Sequence, residues 1–181
     1  MSTLKTNAIQ STGGKPLLHS TGSILQVVST YKGDHFQTNS TSWTDITGMS
    51  CSITPSNSGN KILVWACFGG CSTRQSNMDH GHGIRTLRNN SNANKCNGTV
   101  AGSRDISSFK GNGWSYNADH NPGGLGFHAL DDPGTTSQLT YKVKAKTRSS
   151  NTFYLNTTTH RNNDTNTSNG TSTITVMEVA A

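Results

Sequence analysis

Charge and hydrophobicity are both scarce in this chain of 181 residues. Charged residues make up 13% of it and hydrophobic residues 30%, each below the average for a globular domain. Alanine, leucine, glutamate and lysine are few. About half of the chain is Ser, Thr, Asn or Gly, residues that disfavour helix interiors. A protein built on long helices is therefore excluded. No run reaches 18 apolar residues, so no membrane-spanning helix is expected. The opening stretch Met1 to Gln10 lacks the apolar core of a secretory signal, and export by that route is not expected.

Catalytic signatures are missing as well. There is no Gly-x-Ser-x-Gly elbow, Walker loop, dinucleotide fingerprint or His-Glu-x-x-His helix. The glycine-rich stretches Gly111 to Trp114 and Gly123 to Gly126 have neither a strand–helix context nor a phosphate-binding lysine. A glycosidase needs two converging carboxylates, and acids number only nine. Asp131 and Asp132 are adjacent, so on an extended chain they face opposite ways. Asp105, Asp119 or Asp164 could supply a partner, but no spacing pairs them. Asp131 and Asp132 read better as part of a turn before Pro133-Gly134. No enzyme, catalytic residue or cofactor is expected.

The net charge of +6 arises because acids are few, not because the 15 Lys and Arg are many. The tightest basic clusters are Lys142, Lys144, Lys146 and Arg148, and Arg85 with Arg88. A nucleic-acid binder would carry a denser basic stripe with aromatics between, so no nucleic-acid partner is expected. Attraction to an anionic surface is compatible with this charge. The four cysteines form no metal-type spacing. Cys51 and Cys67 lie within apolar alternation and read as buried free thiols made in a reducing cytoplasm. A Cys71–Cys96 disulfide is left open.

What the chain does contain is short alternating apolar runs separated by polar loops, the pattern of an all-β domain. Ile24 to Tyr31 has apolar residues on both faces and reads as a central strand. Met49, Cys51 and Ile53 alternate with polar residues up to Pro55. Lys61 to Phe68 is the most apolar run and is expected deep in the core. Strands are also expected over His82 to Arg88, Gly126 to Leu130, Leu139 to Lys146, Phe153 to Leu155 and Thr171 to Val179. Residues 89–124 read as irregular. About eight strands with turns between them fit a jelly-roll β-sandwich over residues 23–181. Residues 1–22 form a separate arm too poor in apolar side chains to fold alone. Leu4, Ile9, Leu17 and Leu18 are its anchor candidates, and its expected holder is another chain.

Two constellations could bind a partner. His80 and His82 share a face if extended. Three chains around an axis would then offer six imidazoles to a metal, but a plain exposed loop fits them better. Trp114, Tyr116 and His120 lie in a Gly- and Asn-rich stretch. They suit either a subunit contact or a receptor.

Three stretches carry a resemblance. STLKTNAIQSTGGKPLL leading into STGSILQVV, then TSWTDITGMSCSITPSNSGNKILV, then ALDDPGTTSQLTYKV with STITVMEVAA, resemble tail-fibre-like virion structural proteins of marine phages, especially cyanophages. The resemblance leaves mainly residues 69–125 unmatched. It implies a jelly-roll head similar to complement-head or tumour-necrosis-factor-like domains, a homotrimer, and an arm that attaches to other virion proteins. The protein is then expected on the exterior of the virion tail or capsid, after assembly in the host cytoplasm. Its loops would face a host cell-surface glycan or protein. A capsid decoration protein is the alternative, and an envelope polysaccharide depolymerase fits less well.

Overall fold

The computed structural model describes residues 21–74, 82–93, 95–99, 102–103, 105–111, 123–147, 151–157 and 169–181, with backbone alone at 74, 82, 92, 110, 111 and 123. Among these residues eleven strands follow in chain order. They are β1 (Ile24–Lys32), β2 (Phe36–Thr38), β3 (Thr44–Ile53), β4 (Lys61–Arg74), β5 (His82–Arg88), β6 (Ser91–Asn92), β7 (Phe109–Gly111), β8 (Gly123–Asp131), β9 (Leu139–Thr147), β10 (Thr152–Leu155) and β11 (Ser172–Val179). Among the described residues there is no helix, and all strand pairs are antiparallel.

The strands form two sheets. The first runs β1-β11-β4-β10-β2, with β8 on the far side of β4; the second runs β3-β9-β5-β6, with β7 also on β5. Alternation decides which side chains go inward. On β9, Leu139, Tyr141, Val143 and Ala145 are buried between lysines and a threonine that are not. On β4, Ile62, Val64, Ala66 and Phe68 point in, and on β11 Ile174 and Val176 do. These residues join Met49, Cys51 and Ile53 of β3 and Ile84 of β5 in one core shared by both sheets. Each fully buried aliphatic or aromatic side chain stabilises such a core by about 1.5–3 kcal/mol.

The first sheet holds two strands that break at the same level. β11 pairs with residues 61–67 of β4, and β10 pairs with residues 71–74 on the same side. β1 and β2 lie end to end outside them. The chain leaves the sheet after Leu155 and returns at Ser172. Its two ends meet, because the amide of Gly170 donates to the carbonyl of Asn156 at 3.1 Å. Asn156 is fully buried with φ +61°, a left-handed conformation that Asn tolerates better than most residues. Its Nδ2 donates to the carbonyls of Lys32 (3.0 Å) and Asp34 (3.1 Å), and its Oδ1 accepts from Ser172 Oγ at 2.5 Å. One side chain thus ties both strand breaks together. Gly69 is obligatory here, since a β-carbon on it would sit 2.2 Å from the backbone oxygen of Thr171.

Several expectations need correction. Among the described residues β1 is an edge strand, not a central one; its second apolar face is exposed. Cys67 is exposed, because it falls on the outward side of β4 while its neighbours Ala66 and Phe68 point in. Residues 89–124 include β6, β7 and the start of β8. Asp131 is not a turn residue: it ends β8 and is buried, whereas Asp132 is outside and pairs with Lys61. The four cysteines are free, with Cys71 and Cys96 at opposite ends of the core. The arm candidates Leu4, Ile9, Leu17 and Leu18 lie outside the described residues.

Candidate functional site

The two outer faces of the molecule differ in chemistry, and each is set by one register. On the first sheet, three rows of side chains cross β1, β11, β4 and β8. They are Val27–Met177–Leu63–Leu130, then Ser29–Thr175–Trp65–His128, then Tyr31–Thr173–Cys67–Gly126. Val27, Tyr31, Trp65 and Leu130 are 55%, 66%, 48% and 48% exposed. Trp65 meets the His128 ring edge-on with centroids 6.5 Å apart. These rows contain no Asp, Glu, Lys or Arg; the Lys61–Asp132 pair lies at their rim. Four strands at about 4.8 Å and three rows at about 6.8 Å make a field of roughly 400 Å². Seven of its twelve positions are apolar, the others being Ser29, Thr175, His128, Thr173 and Gly126. A patch of this size falls in the roughly 300–600 Å² range of the largest patch on a typical monomer, which is often functional.

The second sheet presents cations. Lys142, Lys144 and Lys146 project outward from β9, and Arg85 lies opposite Lys144 on β5. Asp45 of β3 accepts from Lys142 and Lys144, each at 2.9 Å, and Asp105 pairs with Lys146. Burial alone would raise the Asp45 carboxyl, but the hydrogen bonds from Lys144 and Lys142 outweigh it and hold the group below the ordinary carboxylate range. Trp43 lies against Gly83, where a β-carbon would approach its ring to 2.9 Å. The Arg85 guanidinium carbon is 4.6 Å from the Trp43 ring centroid, and Lys146 Nζ is 5.3 Å from it.

Two buried acids are committed to structure. Asp131 accepts from Arg88 at 2.5 Å and from the Tyr141 hydroxyl at 2.7 Å. Burial, then Asp131, pushes the Tyr141 phenol up. Burial chiefly pushes the Cys96 thiol near this pair up to about 12. Glu178 accepts from Gln26, from Asn60, and from the amide and hydroxyl of Ser56, at 2.6–2.8 Å. Burial opposes its charge, yet these donors hold its carboxyl below the usual range. This clamp fixes the turn before β4 to the end of β11.

Asp131 and Asp105 are not brought together: one is inside between the sheets and the other pairs with Lys146 on the outer basic face. Asp119 and Asp164 lie outside the described residues. So do His80, Trp114, Tyr116 and His120; of His82 only the backbone, at the start of β5, is described. Among the described residues no three His, Cys, Asp or Glu gather as metal ligands.

The apolar field went unread in the sequence, although its signal was there. The runs ILQVVSTY and KILVWACF are apolar on both faces, which reads as centrality but equally describes an edge strand with a sticky outer face. Trp43 had no signal, because Gly83 and Arg85 are distant in sequence. Neither a protein-family model nor a curated protein matches the chain.

Proposed function

We propose that this chain is a structural adhesion component of a phage virion. In this reading a jelly-roll head forms a homotrimer through the outer face of its first sheet, and the N-terminal arm fastens it to the particle. The observation that carries the reading is the uncharged apolar field across β1, β11, β4 and β8.

The jelly-roll assignment rests on strand order. With β2, β6 and β10 set aside, the sheets run β1-β11-β4-β8 and β3-β9-β5-β7. This is the order that two nested Greek keys give. A second copy is the favoured occupant of the field for two reasons. The field is bordered by both edges of its sheet, β1 and β8, so closed packing between copies covers apolar area and edges together. Its roughly 400 Å² is also about half of what each partner contributes to a stable contact, as expected of the apolar centre of a larger interface. The four free thiols suit assembly in a reducing cytoplasm. The resemblance of the opening, middle and closing stretches to tail-fibre-like proteins supplies the virion context.

Quantitative mass spectrometry of purified virions, with and without residues 1–20, tests this function. The expected result is a few to a few dozen copies per particle for the full chain and loss of incorporation for the deletion. Hundreds of copies would favour capsid decoration. Normal incorporation of the deletion would overturn the arm's role.

A further inference from the structure

We infer that the outer face of the second sheet is a binding surface for acidic polysaccharide, with Lys142, Lys144, Lys146 and Arg85 as its cations and Trp43 as the residue that positions two of them. The inference rests on the adhesion reading above and names the ligand class and the face. β9 spaces its three lysines about 6.8 Å apart in a straight row, and Arg85 stands beside the middle one. A uronate polymer likewise presents its charges at regular intervals along one chain, one per sugar. Trp43 holds the Arg85 and Lys146 heads beside its ring, so less side-chain freedom is lost when a ligand arrives.

The face already shows where carboxylates sit. Asp45 occupies the position between Lys142 and Lys144, and Asp105 the position at Lys146; their side chains are 50% and 58% exposed. The lysine side chains are 21%, 22% and 20% exposed, with their acids on the solvent side. Ion pairs open to water on one side hold weakly, so carboxylates of an incoming polymer can exchange with both acids. Three lysines and one arginine against two acids leave the face positive, and among the described residues no carboxylate pairs with Arg85. A nucleic acid suits this face less well. Duplex recognition places a helix or ribbon in a groove, and single strands need successive aromatic platforms. Among the described residues this sheet face carries one indole, Trp43, which already packs against cations. If copies join through the opposite sheet, this face stays free in the assembly.

The test measures binding of fluorescein-labelled polyuronate to the full-length protein by anisotropy at low salt. Neutral dextran and a 20-nucleotide single-stranded DNA serve as competitors, and the oligomeric mass of each sample is recorded. The expected result is saturable binding that weakens with salt and resists dextran. Lys144→Gln/Lys146→Gln should bind roughly tenfold more weakly, the factor that two lost charge contacts of surface strength amount to. Lys61→Gln, which removes a lysine from the other sheet, should bind as the parent does. No polyuronate binding, equal binding by the double variant, or tighter binding of DNA would overturn the inference. Because oligomeric mass and virion incorporation are read separately, failure here is distinguishable from failure of the adhesion reading.

Discussion

Replacing Asn156 should cost more than any surface change in this protein, and the magnitude follows from its contacts. Asn156→Ala leaves the Lys32 carbonyl and the Ser172 hydroxyl without this partner in the interior, and the Asp34 carbonyl without it at the margin. A buried group that loses its partner costs about 1–2 kcal/mol, and a partly exposed one less. Alanine at φ +61° adds roughly 1 kcal/mol of backbone strain. The sum is about 3–6 kcal/mol, a large part of the roughly 5–15 kcal/mol that holds a domain folded. Asn156→Gly removes the same hydrogen bonds but not the conformational freedom, so it should be about 1 kcal/mol less harmful. Urea unfolding at one fixed protein concentration reads both, the concentration being held because self-association would raise apparent stability. With a slope near 2 kcal/mol per molar urea, the midpoint for Asn156→Ala should fall by roughly 1.5–3 M. A fall of less than about 0.5 M would refute the claim that this residue ties the two strand breaks together.

Two further outcomes follow from the faces and the buried acid. Trp65 leaves about half of a surface of roughly 250 Å² exposed, so covering it in an assembly supplies about 3 kcal/mol per protomer. Trp65→Asp should therefore run as a folded protomer in light scattering, with an unchanged circular dichroism spectrum; an assembly that survives this change contradicts the proposed contact. Glu178 has its carboxyl lowered by its donors, so its contribution is present above the unfolded value and is lost as pH falls from about 5 through the lower folded value. Glu178→Gln should lower stability at pH 7 by about 1–3 kcal/mol and flatten the acid limb of the stability curve; an unchanged acid limb would exclude Glu178 as a source of that slope.

Local pattern was legible in the sequence, and partner choice was not. LTYKVKAK alternates so cleanly that β9 falls where the residues place it, the weaker run HGIRTLR forms β5 although the adjacent Thr86 and Leu87 are both buried, and Met49, Cys51 and Ile53 face inward as the alternation requires. What alternation does not encode is a strand's neighbour. ILQVVSTY became an edge because β11 pairs with it on one side only. Cys67 became exposed because parity along β4 puts it with Leu63 and Trp65, not with Ala66. Asp131 sits beside turn residues, yet it turns inward because Arg88, 43 positions earlier in the chain, waits there to pair with it. The basic row is visible as Lys142, Lys144 and Lys146, but its setting depends on Trp43, Asp45 and Arg85, which only the β3-β9-β5 register unites.

The central claim, that copies of this chain meet through the outer face of the first sheet, is tested most directly by the reactivity of Cys67. Of the four thiols it alone is exposed in the single chain, and it lies on the third row of the apolar field, one row from Trp65. Maleimide labelling followed by mass analysis should leave Cys67 protected in the concentrated native protein and modify it rapidly in Trp65→Asp. Equal and rapid labelling of Cys67 in both would contradict the claim.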